Sequence, residues 1–105
     1  AVRGLVSKSK EPIPVPDLKI TEINEPLSGN FLLDEREGMD AVLDSNGTAF
    51  EVSDDELIKA AKLIMTEEGL DVLPASAGAI TAVKLLDSRN HTFVAVITGR
   101  GHGHL

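Results

Sequence analysis

The sequence predicts an α/β fold: a small, mainly parallel sheet with flanking helices. Three observations predict it. A capping box, Ser53 to Glu56, opens a stretch in which Leu57, Ala60, Ala61, Ile64 and Met65 recur at helical spacing. The run Phe93–Ile97 is continuously apolar, the pattern of a strand covered on both faces, as in a parallel sheet. The candidate elements follow one another as strand, helix, strand, helix, helix, strand, and strands alternating with helices argue for α/β. Right-handed crossovers through the helices make the three strands parallel.

Residues 1–17 read as an extended, largely irregular arm. Pro12, Pro14 and Pro16 alternate there, and proline neither donates to a sheet ladder nor leaves its predecessor free. The rest, 18–105, reads as one α/β segment. A first strand is expected at about Leu18–Ile23, before the turn residues Pro26, Gly29 and Asn30. A helix follows over about Leu33–Leu43, stopped at Ser45-Asn46-Gly47, where Gly47 offers a left-handed cap. Thr48–Val52 reads as the second strand. The helix Asp54–Glu68 carries the strongest signals. Ser53 and Glu56 form the capping box, Val52 and Leu57 the hydrophobic staple, and Asp54, Asp55 and Glu56 suit the positive end of the dipole. That capping role accounts for the acidic trio better than a metal site does. Gly69 ends the helix. After a short extended piece, Leu70–Leu73, and Pro74, Ser76 is the expected N-cap of a helix Ala77–Leu86 that buries Ile80, Val83 and Leu86. Its small residues, Ala75, Ala77, Gly78 and Ala79, permit close approach, and tight packing explains them more simply than an anion at the helix start. Thr92–Thr98 is the third strand.

One domain fits in 105 residues, with a modest core. Three Phe and no Trp or Tyr mean an aliphatic core. No cysteine means no disulfide and no thiolate metal site. A net charge of -7 argues against nucleic-acid and anionic-membrane partners. No apolar run approaches the ~20 residues of a bilayer span, and no signal peptide is visible. A cytoplasmic location is therefore expected. The start at Ala1 without Met is read as processing or as a cut from something longer.

The order "SDDELIKAAKLIMTEEGLDVLPASAGAITAVKLL", then "FVAVITGRGH", resembles the C-terminal part of threonine-synthase-like pyridoxal-phosphate enzymes. In that family "SDEE" opens a helix, "EEGxxxEPASAAxxAxxxxL" follows, and a strand ends in "LTGxGLKD". Ser53–Glu56, Glu67–Gly69, Pro74–Ala77 and Ile97–Gly99 stand in that order here. "ITGRG" is also similar to the "LSGRG" of tryptophan synthase β chains, of the same fold type II. The resemblance covers about residues 47–101. It extends more loosely back to Ile20, where "ITEINEPLSGN" looks like the family's "TIATAIRIGNP".

The resemblance implies part of the large domain of such an enzyme. It implies that the Thr98 hydroxyl meets the pyridine nitrogen of the cofactor, with Ser76 nearby, and that Gly99 and Gly101 let backbone pass close to the ring. A neutral hydroxyl leaves that nitrogen largely unprotonated, which suits elimination and replacement rather than transamination. Departures are clear. Leu73 stands where the family has glutamate, and "HGHL" replaces "LKD". No lysine has the context of the catalytic one: Lys59 and Lys62 lie on a surface helix and Lys84 on the next. The phosphate-holding glycine loop is missing, since "GRGHG" follows a strand with no helix after it. The expectation is a lyase segment that is inactive alone and binds pyridoxal phosphate only with the missing N-terminal portion or a second chain, the complete enzyme acting on an amino acid. The alternative is a stand-alone interaction or regulatory domain derived from that fold, without cofactor. His102 and His104 lack a third ligand at a useful spacing, and no metal is expected.

Overall fold

The computed structural model describes residues 2–8, 10–15, 19–28, 33–86 and 89–102. Its helices are α1 (Val2–Val6), α2 (Glu35–Asp44), α3 (Asp54–Glu68) and α4 (Pro74–Leu85), with a single 3₁₀ turn at Glu25–Leu27. Among the described residues there is no strand and no sheet, so the expected small, mainly parallel sheet is absent. The one β-bridge among them, Val72 with Arg100, is antiparallel.

Each expected strand fails for a physical reason. The first begins at Leu18, outside the described residues. Its remainder is captured by local hydrogen bonds. The Thr21 hydroxyl oxygen accepts from the N–H of Ile23 (3.2 Å) and of Asn24 (3.3 Å), and Asn24 Oδ1 accepts from the N–H of Thr21 (3.1 Å). Such bonds offer the backbone an alternative to a ladder. Thr48–Val52 and Thr92–Thr98 find no second length of backbone to pair with among the described residues. Hydrophobic pattern marks what a segment would bury, but a strand exists only when a neighbour takes its N–H and C=O groups.

The chain divides into two compact units. The first comprises Ala1–Ile20 and Gly29–Glu51. The expected irregular arm opens here with α1. Gly4 is buried on it, and a Cβ there would meet the Glu11 carbonyl oxygen and Met39 Cε, 3.1 Å away. Met39 of α2 is the buried anchor of this unit, at 1% exposure. The end of α2 differs from expectation: Asn46, not Gly47, takes the left-handed conformation (φ 58°). Asparagine is among the side chains that tolerate that region best.

The second unit comprises Thr21–Ser28 and Val52–Leu105. Here α3 follows its sequence closely. Ser53 Oγ accepts from the N–H of Glu56 (3.2 Å), and Glu56 Oε1 accepts from the N–H of Ser53 (3.1 Å), completing the capping box. Gly69 closes the helix in the left-handed region (φ 68°). Leu57, Ala60, Ala61 and Ile64 are buried, whereas Met65 is exposed. At the start of α3, Asp54 accepts from the Thr21 hydroxyl (2.6 Å) and from Asn24 Nδ2 (2.9 Å), tying the 3₁₀ segment to the helix.

Helix α4 begins three residues before its expected start. Pro74 takes the first helical position, where its missing N–H costs nothing, and Leu73 is the N-cap. Ser76 therefore lies inside the first turn and is not the cap. The buried set moves accordingly to Pro74, Ala75, Ala77 and Thr81, while Leu86 is exposed. The small residues of α4 pack against α3: Ala77 is fully buried in one cluster with Ala60, Ala61, Ile64 and Val72. Gly78 allows the closest approach, since a Cβ there would stand 3.0 Å from Leu57 Cδ2. Ile80 and Ile97 pack on this cluster from its margin.

Candidate functional site

After Gly69 the chain turns back, and residues 71–73 meet residues 99–101. The N–H of Leu73 donates to the carbonyl of Gly99 (3.0 Å), and the N–H of Gly101 donates to the carbonyl of Asp71 (3.0 Å). These two bonds clamp the end of the apolar run to the start of α4. They bring together the three residues that the sequence singled out. Ser76, on the first turn of α4, has its Oγ 3.3 Å from Thr98 Oγ1. A Cβ on Gly99 would lie 2.7 Å from Ser76 Oγ and 3.0 Å from both Cβ and Cδ2 of Leu73. The absence of a side chain at 99 is thus what lets the loop close on α4. Gly101 is buried for a similar reason, as a Cβ there would fall on the Asp71 carboxylate.

Beside this clamp lies an open depression of about 560 Å³. Thr98 and Gly99 line it, together with Ile64, Ile97, Asp71 and Arg100 among others. Thr98 is exposed, while Ser76 is half-buried. A hydroxyl has one donor and two acceptor lone pairs. When Ser76 donates to Thr98 Oγ1, the Thr98 proton is left to donate outward, and the pair presents one directed hydrogen-bond donor at the rim. Asp71 and Arg100 add one charge of each sign. Neither was singled out by the sequence. The signal for them is indirect: Gly69 reverses the chain, and Gly101 is the residue small enough to sit against the returning segment.

His102 is exposed and His104 lies outside the described residues. Among the described residues no group of three potential metal-ligating side chains is present. No helix among them is long and apolar enough to cross a membrane.

Curated relatives are similar to part of this chain. Threonine synthase of Methanocaldococcus jannaschii is 40% identical over 68 residues, covering 60% of this chain and 17% of that protein. Threonine synthase of Methanosarcina acetivorans is 38% identical over 66 residues, 58% of this chain and 16% of the relative. Cysteate synthase of Methanocella paludicola is 35% identical over 66 residues, with 59% and 16% covered. The similarity therefore spans about three fifths of this chain and about a sixth of each much longer relative. No protein-family profile matches the chain. No solved structure matches it either.

Proposed function

We propose that this chain is a C-terminal part of a threonine-synthase-like enzyme that uses pyridoxal phosphate and an amino-acid substrate, and that it is inactive by itself. The observation that carries the reading is the 40% and 38% identity to two threonine synthases over some 60% of the chain. The hydroxyl pair of Ser76 and Thr98 supports it at the level of the site. The residues fit the cofactor in one respect: with Ser76 donating to Thr98 Oγ1, Thr98 keeps a neutral, outward donor of the kind an unprotonated pyridine nitrogen accepts from. Pyridoxal phosphate, when bound, supplies an electron sink for amino-acid chemistry. Thr98 donates to the ring nitrogen, Ser76 fixes the Thr98 hydroxyl, and Gly99 holds the loop against α4. The lysine and the phosphate loop come from the remainder of the enzyme.

The test is a chimaera. Residues 47–101 of this chain replace the corresponding segment of the Methanocaldococcus jannaschii threonine synthase, and threonine formation and cofactor affinity are measured. The expected chimaera retains both. Thr98→Val then leaves the ring nitrogen unpaired, at a cost of roughly 1–3 kcal/mol. Cofactor affinity falls about tenfold or more. A folded chimaera that binds no cofactor refutes the reading. A Thr98→Val chimaera that matches its parent makes Thr98 only the end of a loop segment.

A further inference from the structure

Two backbone bonds close the end of α2. The N–H of Asn46 donates to the Leu43 carbonyl (3.1 Å), and the N–H of Gly47 donates to the Val42 carbonyl (2.8 Å). With Asn46 in the left-handed region (φ 58°), this is the Schellman arrangement. The Val42 carbonyl also accepts from the Ser45 hydroxyl (3.1 Å). Each residue suits its place. Asparagine tolerates the left-handed region. Glycine lets position 47 lie close, since a Cβ there would stand 3.2 Å from both Ser45 Oγ and the Val42 carbonyl oxygen.

The same two residues form a reactive dipeptide. The backbone nitrogen that follows an asparagine can close a five-membered ring on its side-chain amide, and glycine at that position obstructs the closure least. Asn24, Asn30 and Asn90 precede Glu25, Phe31 and His91 instead. Ring closure needs the Gly47 nitrogen stripped of its proton, and in the folded chain that N–H is committed to Val42. We propose that Asn46 is a site of deamidation and that the cap of α2 is the gate that holds it closed.

When the cap opens, the Gly47 nitrogen gives its proton to solvent and bonds to Asn46 Cγ. The Cγ–Nδ2 bond breaks, and Nδ2 leaves as ammonia. Water then opens the cyclic imide at Cγ, giving aspartate, or at the backbone carbonyl carbon, giving isoaspartate. Either product loosens the cap. Aspartate puts a negative charge at the negative end of the helix dipole, close to Asp44. Isoaspartate routes the backbone through the former side chain and moves the Gly47 N–H out of register with Val42. The bonds that hold the gate all lie within residues 42–47, so it depends neither on more distant chain nor on the function proposed above.

The test incubates the folded chain beside the free peptide Val42–Phe50 and follows conversion by ion exchange and peptide mass spectrometry. The acid is expected at residue 46, with ammonia released in equal amount. The folded chain should convert about ten- to hundredfold more slowly than the peptide, the weight of freeing one or two hydrogen bonds. Ala41→Gly, at an exposed position of α2, weakens the last turn and leaves the dipeptide untouched. It should speed conversion about fivefold. Hydrogen exchange at the Gly47 amide should speed up by the same factor, because both reactions need that N–H free. Asn46→Gly keeps a left-handed cap and abolishes conversion there, and circular dichroism checks the helical content of both variants. Equal rates in chain and peptide overturn the proposal. So does a folded chain that shows no conversion once the peptide has fully reacted, conversion at another asparagine in place of Asn46, or an Ala41→Gly chain no faster than its parent.

Discussion

Gly99→Ala tests the clamp that builds the candidate site. The added methyl would stand 2.7 Å from Ser76 Oγ and 3.0 Å from Leu73 Cβ and Cδ2. Ser76 can rotate away, but only by giving up the 3.3 Å approach to Thr98. Leu73 Cβ cannot rotate, because it is fixed to its own backbone. Relief must therefore come from separating residue 99 from residue 73, which stretches the 3.0 Å bond from the Leu73 N–H to the Gly99 carbonyl. Overpacking of this kind costs about 1–3 kcal/mol. The stretched bond adds up to about 1 kcal/mol. A total near 2–3 kcal/mol is a large share of the stability of so small a unit. The chain has no Trp or Tyr, so urea unfolding is best followed by helical circular dichroism. With a urea slope of about 1–2 kcal/mol/M, the midpoint should fall by at least about 1 M. Ser76→Ala in the same background should restore only the part owed to Oγ, leaving the Leu73 contribution. A midpoint within ~0.3 M of the parent would falsify this reasoning about the clamp.

Three further outcomes are expected in the second unit. Ser53→Ala removes the acceptor for the Glu56 N–H and should destabilise α3 by about 1 kcal/mol, read from the same urea transition. Leu57→Ala hollows a fully buried site beneath Gly78 and should cost about 2–5 kcal/mol, enough to lower helicity at room temperature. Asp54→Ala removes the carboxylate that accepts from the Thr21 hydroxyl and from Asn24 Nδ2 and should cost about 1–3 kcal/mol. Hydrogen exchange should then speed up at the amides of residues 23–25, 27 and 28 while those of α4 stay protected.

Helix α3 was legible in the sequence because its determinants are local. Ser53, Glu56 and Gly69 act on backbone within a few residues, so their pattern predicts the observed bounds. Helix α4 was legible in existence but not in start. Ser76 has the chemistry of a cap, yet Pro74 is preorganised for the first helical position and wins it, and Ser76 falls in the first turn with its Oγ 3.3 Å from Thr98 Oγ1. The proximity of Ser76, Thr98 and Gly99 was reached through a family resemblance. The clamp that produces it depends on Gly69 turning the chain so that Asp71 and Leu73 face Gly101 and Gly99. What tertiary structure alone decided is the absence of a sheet among the described residues. Valine and isoleucine in Phe93–Ile97 state a preference for extended, covered backbone, but a ladder needs a second length of backbone in register. The sequence by itself thus determined α2, α3 and the presence of α4, whose hydrogen bonds are internal to each segment, but not α1 in the expected irregular arm, and only tertiary structure could decide the strands, whose hydrogen bonds belong to two segments at once.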